Sequence, residues 1–170
     1  MADEPGFLCG HCGQRHPGLP YSYGSDAPVH WSPDLASDPT SQLTDEQCVV
    51  KRQHFFVRGR IVIPVVDSDR EFDWGVWVSV SRPTIKRMNE VWMTPGRESE
   101  PPYFGWLSTA LPVYEPSTVN LKTHVHTQPV GQRPLVELEP TGHPLAVEQR
   151  NGITVARVQE IAERLLHVQR

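Results

Sequence analysis

From His54 the chain alternates in a two-residue period: Phe55, Val57, Gly59, Ile61 and Ile63 fall on one face, and Phe56, Arg58, Arg60 and Val62 on the other. That period, rich in β-branched residues, predicts a strand that Pro64 ends or confines to an edge. Asp67-Ser68-Asp69-Arg70 reads as a hairpin connection into a second strand over 72–80, where Trp74, Val76, Val78 and Val80 share a face. The period then lengthens. Ser81 is a capping residue, Pro83 suits a first turn, and Ile85, Met88 and Trp92 recur at helical spacing, so an amphipathic helix is expected over 81–93.

Further strands are expected over 103–107, 119–126 and 135–138, separated by proline-containing turns. Pro144 opens a short helix that Asn151-Gly152 stops, and Thr154 caps another, with Ile153 and Val158 placed as a hydrophobic staple. Val158, Ile161, Ala162 and Leu165 give this last helix its buried stripe. Residues 17–47 differ: Pro17-Gly18-Leu19-Pro20, Tyr23-Gly24-Ser25-Asp26 and Ser37-Asp38-Pro39-Thr40 spell turns and irregular backbone. So long a stretch needs pinning, and a metal is one way to supply it.

The class expected is α+β: a mainly antiparallel sheet of about five strands, one amphipathic helix and a C-terminal helical pair, preceded by a loop-rich segment. A chain of 170 residues suits a single domain, and folding at that size buries roughly 70% of the surface exposed by the unfolded chain. Its parts would be a loop-rich 1–53, a sheet with helix over 54–140, and helices over 141–170.

Composition narrows the setting. The acidic Met1-Ala2-Asp3-Glu4-Pro5 lacks the basic and apolar regions of a signal peptide, and no stretch approaches about 18 consecutive apolar residues, so neither export nor a membrane partner is expected. An odd count of three cysteines, two of them close together, suits metal or thiol chemistry in the cytoplasm better than a disulfide framework. Net charge is −4, with seven carboxylates and one arginine in the first fifty residues, and no segment has the basic excess that nucleic acid requires.

Cys9-Gly10-His11-Cys12-Gly13 is the sharpest local signal. Two thiolates two residues apart can converge on one tetrahedral ion, and the glycines let the backbone fold tightly around it. Such a loop supplies two ligands. His16 follows within reach of a compact loop and Cys48 lies beyond the irregular stretch, so Cys9, Cys12, His16 and Cys48 form a candidate structural zinc site, with His54 as substitute if His16 points away. That zinc would tie the loop-rich first third to the start of the sheet, and its binding free energy would become folding free energy. Two other readings compete: buried apolar cysteines, or a thiol redox pair. The redox motif opens a helix after a strand, whereas Gly13-Gln14-Arg15-His16-Pro17-Gly18 follows here.

Other groupings each have an ordinary explanation. His124 and His126 share a strand face, as in some open catalytic metal sites, with His143 or His54 as a third ligand; yet Asn120 and Lys122 lie on that face too, as on any half-solvated strand. Glu137 and Glu139 are a formal acid-base pair but more simply solvated. Asp73 sits beside tryptophans at a strand start. Arg58, Arg60 and Lys51-Arg52 near Phe55, Phe56 and Trp77 offer charges for phosphates and rings for bases, but in an acidic chain they more simply cover a sheet face. Trp74, Trp77 and Trp106 are core candidates that, if exposed, would mark a partner or ligand groove. No Gly-rich phosphate loop, Gly-x-Ser-x-Gly elbow or His-Glu-x-x-His helix occurs.

Taken in order, Cys9-x-x-Cys12-Gly13-x-x-His16, Gly18-Leu19-Pro20, Phe55-Phe56-Val57-Arg58-Gly59, Trp74-Gly75-Val76-Trp77-Val78-Ser79, Phe104-Gly105-Trp106-Leu107 and His143-Pro144-Leu145-Ala146 resemble a bacterial family known as domain of unknown function 2199. The resemblance spans nearly the whole chain. It implies a bacterial, single-domain protein with an N-terminal knuckle and brings no activity or substrate. The function expected is therefore a zinc-stabilised binding or accessory domain for a protein or small molecule, against a metal-dependent hydrolase using His124 and His126 with water in the open position, or a thiol redox protein.

Overall fold

A computed structural model describes residues 6–167. The reading of the acidic first five residues as no signal peptide lies outside them. In chain order the first part forms strands β1 (Phe7–Leu8), β2 (Arg15–His16), β3 (Ser22–Tyr23), β4 (Gln42–Leu43) and β5 (Gln47–Val50). The long strands β6 (His54–Pro64) and β7 (Glu71–Val80) follow, then α1 (Arg82–Glu90), β8 (Tyr103–Leu107), β9 (Lys122–His126) and β10 (Leu135–Leu138). Helices α2 (Pro144–Asn151) and α3 (Val155–His167) complete the described chain.

The expected α+β class holds, and the sheet does more than pair: it closes. β6 and β7 form the anticipated antiparallel hairpin, from Phe55 opposite Val80 to Pro64 opposite Glu71. β7, β8, β9 and β10 continue antiparallel, and β10 returns to β6 in parallel at Leu135 opposite Arg60. Five strands thus make a barrel, with β5 and β4 added beyond β6 and β3 lying parallel along the start of β7. The alternation read from the sequence puts Val57, Ile61, Ile63, Trp74, Val76 and Val78 in the core, together with Leu107, Val125 and Val136. Two inward positions must be glycine: a Cβ at Gly59 would lie 2.7 Å from Val136 Cγ2, and one at Gly105 only 2.3 Å from Val78 Cγ1.

Ser81 caps α1 as expected, accepting from the Thr84 N–H at 3.3 Å, and Ile85 and Met88 are buried. The helix ends at Glu90 rather than Met93, so Trp92 leaves the buried stripe; Pro95-Gly96 cannot continue a helix, and Arg97 folds back to donate to the Trp92 carbonyl at 2.9 Å. β9 also begins later than expected, because Asn120 adopts a positive φ of 70°. The C-terminal pair follows its caps, with the Arg157 N–H donating to Thr154 Oγ1 at 3.1 Å. It joins the barrel through Leu145, Val158 and Ile161, and through a chain in which Trp74 Nε1 donates to the Tyr114 hydroxyl, that hydroxyl to Glu148, and Arg157 to Glu148.

The irregular stretch before β5 is pinned by packing. Trp77, pointing out of the barrel, clusters with Cys48, Val50 and Phe56 beneath Trp31, Leu35 and Leu43, and donates from Nε1 to the Ser25 carbonyl at 2.8 Å. Among the described residues no helix is long and apolar enough to cross a membrane.

Candidate metal centre

β1 and β2 pair as a short antiparallel hairpin, with Phe7 opposite His16 and Leu8 opposite Arg15. Its turn is the Cys-x-x-Cys loop, closed by Cys9 N–H to the Gln14 carbonyl and Gly13 N–H to the Cys9 carbonyl, each 2.9 Å. Gly13 takes a φ of 69°, a conformation a glycine adopts at little cost. The loop thereby turns both thiols to one side and His16 joins them, with Cys12 Sγ 3.3 Å from His16 Nε2.

The fourth donor comes from the far end of the chain. The last residue of α3, His167, places Nε2 3.3 Å from Cys9 Sγ, and the donor atoms of Cys9, Cys12, His16 and His167 all lie within 4.8 Å of one another. Metal bonds of about 2.0 Å to nitrogen and 2.3 Å to sulfur, at tetrahedral angles, separate neighbouring donors by about 3.5 Å. The group is therefore close enough to hold a metal ion. Cys9 is buried, Cys12 exposed and the two histidines half-buried, so the group spans the surface and the interior.

The helix is docked on the loop by more than the donors. Phe7 and Cys9 pack on Ala162, Gln159 donates to the Leu8 carbonyl at 2.8 Å, and Glu163 accepts from the Gly10 N–H at 2.6 Å. Hydrogen bonds from Gln159 and Gly10, with the nearby charges of His11 and His167, hold the Glu163 carboxyl below its ordinary value. The His11 and His167 rings stack at 4.2 Å between centroids.

Of the candidate ligands read from the sequence, Cys9, Cys12 and His16 come together and Cys48 does not. Cys48 belongs to the apolar cluster around Trp77, where burial pushes its thiol up to about 11. His54 lies exposed at the start of β6. A zinc here would thus join the N-terminal hairpin to α3, and the link to the start of the sheet expected through Cys48 gives way. His167 was missed, although Gln159, Glu163 and His167 occur every fourth residue and so mark one polar face of α3.

His124 and His126 do share the outer face of β9, but their neighbours are carboxylates from β10 and just beyond it: His124 Nε2 lies 3.3 Å from Glu139, and His126 Nε2 3.9 Å from Glu137. Among the described residues the Cys9 group is the one set of three or more donors within metal-holding range. His143 instead caps α2, accepting from the Leu145 N–H at Nδ1, and meets the Pro116 carbonyl through Nε2. Asp73 is paired with Arg60 at 2.6 Å. Trp74 and Trp77 are core, while Trp106 is 41% exposed beside Phe104.

A family model described as an uncharacterized protein conserved in bacteria (DUF2199) matches residues 8–153. The matched span holds Cys9, Cys12 and His16 and ends before α3. No curated protein and no solved structure matches the chain.

Proposed function

The chain belongs to this family of uncharacterized bacterial proteins, and on that premise we propose that it is a zinc-stabilised binding or accessory module whose metal fastens the N-terminal hairpin to α3. The observation that carries the reading is the convergence of two thiols and two imidazoles within 4.8 Å of one another. Mixed sulfur and nitrogen donors in a set of four are the coordination that zinc favours, and a closed set leaves no position for water, which suits structure rather than catalysis. When bound, zinc supplies a cross-link between residues far apart in the chain, and its binding free energy adds to folding. The chain's own part is to aim the donors: Gly13 turns the loop, and Gln159 and Glu163 seat it on α3. The partner in this reading is a protein or a small molecule.

The test is elemental analysis of protein purified without added metal. One zinc per chain is expected in wild type, Cys48→Ser and His126→Ala, with loss in Cys12→Ser and a weakened, chelator-labile zinc in His167→Ala. Metal lost in His126→Ala would favour the hydrolase reading, and a metal-free wild type with reversible Cys9–Cys12 oxidation the redox one. Zinc held equally by His167→Ala would remove α3 from the site.

A further inference from the structure

A metal also sets the chemistry of the sulfurs that hold it. A cysteine binds zinc as thiolate, and the thiolate is the form that oxidants attack. The two cysteines of the hairpin loop differ in access: Cys9 is 1% exposed against Phe7 and Ala162, whereas Cys12 is exposed in the turn. A small oxidant in solution therefore meets Cys12 first. Cys9 lies behind it with its Sγ within 4.8 Å, in position to resolve what forms there. Gly13, at a φ of 69° and with nothing within 4 Å of where a Cβ would stand, leaves the loop room to draw the two sulfurs together.

The third cysteine supplies a contrast within the same chain. Cys48 is buried in the Trp77 cluster, away from the other donors, and burial pushes its thiol up to about 11, so it stays protonated and inert. Helix α3, for its part, is held unevenly. Val158 and Ile161 fix its body in the barrel core, while at its end Leu166 is 47% exposed and His167 reaches the sulfur pair. Loss of the metal would thus loosen the last turn and leave the rest of the helix docked.

We propose that Cys12 is a site of reversible oxidation by hydrogen peroxide, that Cys9 resolves it to a disulfide, and that the zinc then leaves and releases the end of α3. In the first step the Cys12 thiolate attacks the peroxide O–O bond, giving a sulfenic acid and hydroxide. In the second the Cys9 thiolate attacks that sulfur, forming the S–S bond and expelling a second hydroxide. Two electrons pass from the sulfur pair to peroxide, and the two hydroxides take up protons to become water. Zinc loses two of its four donors, because disulfide sulfurs carry no charge to hold it. The inference rests on the zinc reading and differs from a metal-free redox pair, since here the metal keeps both sulfurs reactive and its departure is the response.

The experiment treats the zinc-loaded full chain with hydrogen peroxide, reads released zinc with a chromogenic chelator, and locates the disulfide by alkylation and mass spectrometry. Zinc release and disulfide formation should advance together, one of each per peroxide consumed, with Cys48 still open to alkylation after denaturation. Amide exchange should quicken in residues 164–167 and not in 155–161, and dithiothreitol should restore zinc binding. Cys48→Ser should release zinc as wild type does, and Cys12→His, which keeps four donors but one thiol of the pair, should hold its zinc through the same treatment. A wild-type chain that takes up no zinc overturns the metal reading and this one together. Zinc-loaded wild type that keeps its zinc and its thiols under peroxide overturns this one alone, as do release that dithiothreitol cannot reverse, a disulfide that includes Cys48, or equal release from zinc-loaded Cys12→His.

Discussion

Asp38 holds the irregular stretch before β5 by local hydrogen bonds, accepting from the Thr40 N–H at 2.9 Å, the Thr40 hydroxyl at 2.7 Å and the Ser41 hydroxyl at 3.0 Å. Those bonds, led by the Thr40 N–H, lower its carboxyl pKa. A carboxyl lowered on folding stabilises the fold above its unfolded pKa of about 3.9 and loses that contribution as pH falls through the folded value. The thermal midpoint of Asp38→Ala should therefore trail wild type at neutral pH and approach it as pH drops below about 4. A gap constant down to pH 2 would mean that the charge is not what matters. Cys48 shows the opposite case: burial in the Trp77 cluster disfavours its thiolate, so Cys48→Ser should cost about 1–2 kcal/mol in denaturant unfolding while leaving metal content intact. That the sequence offered Cys48 as a ligand and the fold uses it as an apolar filler follows from a property of thiols: they serve both ends, and only neighbours choose.

Among elements, barrel closure turns on where strands come too close for a side chain. Gly105→Ala would bring a Cβ within 2.8 Å of the Ser79 carbonyl as well as against Val78, whereas a Cβ at Gly142 meets nothing within 4 Å. Gly105→Ala should lose about 1–3 kcal/mol in equilibrium denaturation, and Gly142→Ala close to none. Arg97 acts on the same scale, joining the turn after α1 to the 127–134 segment through four carbonyls. Arg97→Ala should cost about 3 kcal/mol and speed amide exchange over residues 127–134, because those carbonyls lose a charged donor. Amide exchange unchanged there would mean the segment is held by its own turn. Strands and helices of this kind were legible beforehand, since a period of two or of 3.6 reflects which face is buried. Their ends were less so: α1 stops three residues early for want of room before Pro95-Gly96, and β9 starts late at the positive φ of Asn120.

For the molecule as a whole, the proposed zinc joins the two ends of the described chain. Chelation should therefore speed amide exchange in residues 7–16 and in 159–167 together and leave the β6–β7 hairpin protected, because a cross-link between two segments stabilises both against local opening. Exchange that rises in the N-terminal hairpin alone would leave His167 outside the site. The alternation of β6 and β7, the caps at Ser81 and Thr154, and the Cys-x-x-Cys loop with His16 were determined by the sequence alone, because each depends on residues a few positions apart. The closing of β10 onto β6, the pairing of the knuckle with His167 rather than Cys48, and the joining of the turn after α1 to residues 127–134 belong to the tertiary structure. They depend on which distant surfaces bury the most apolar area together, and no local period records that choice.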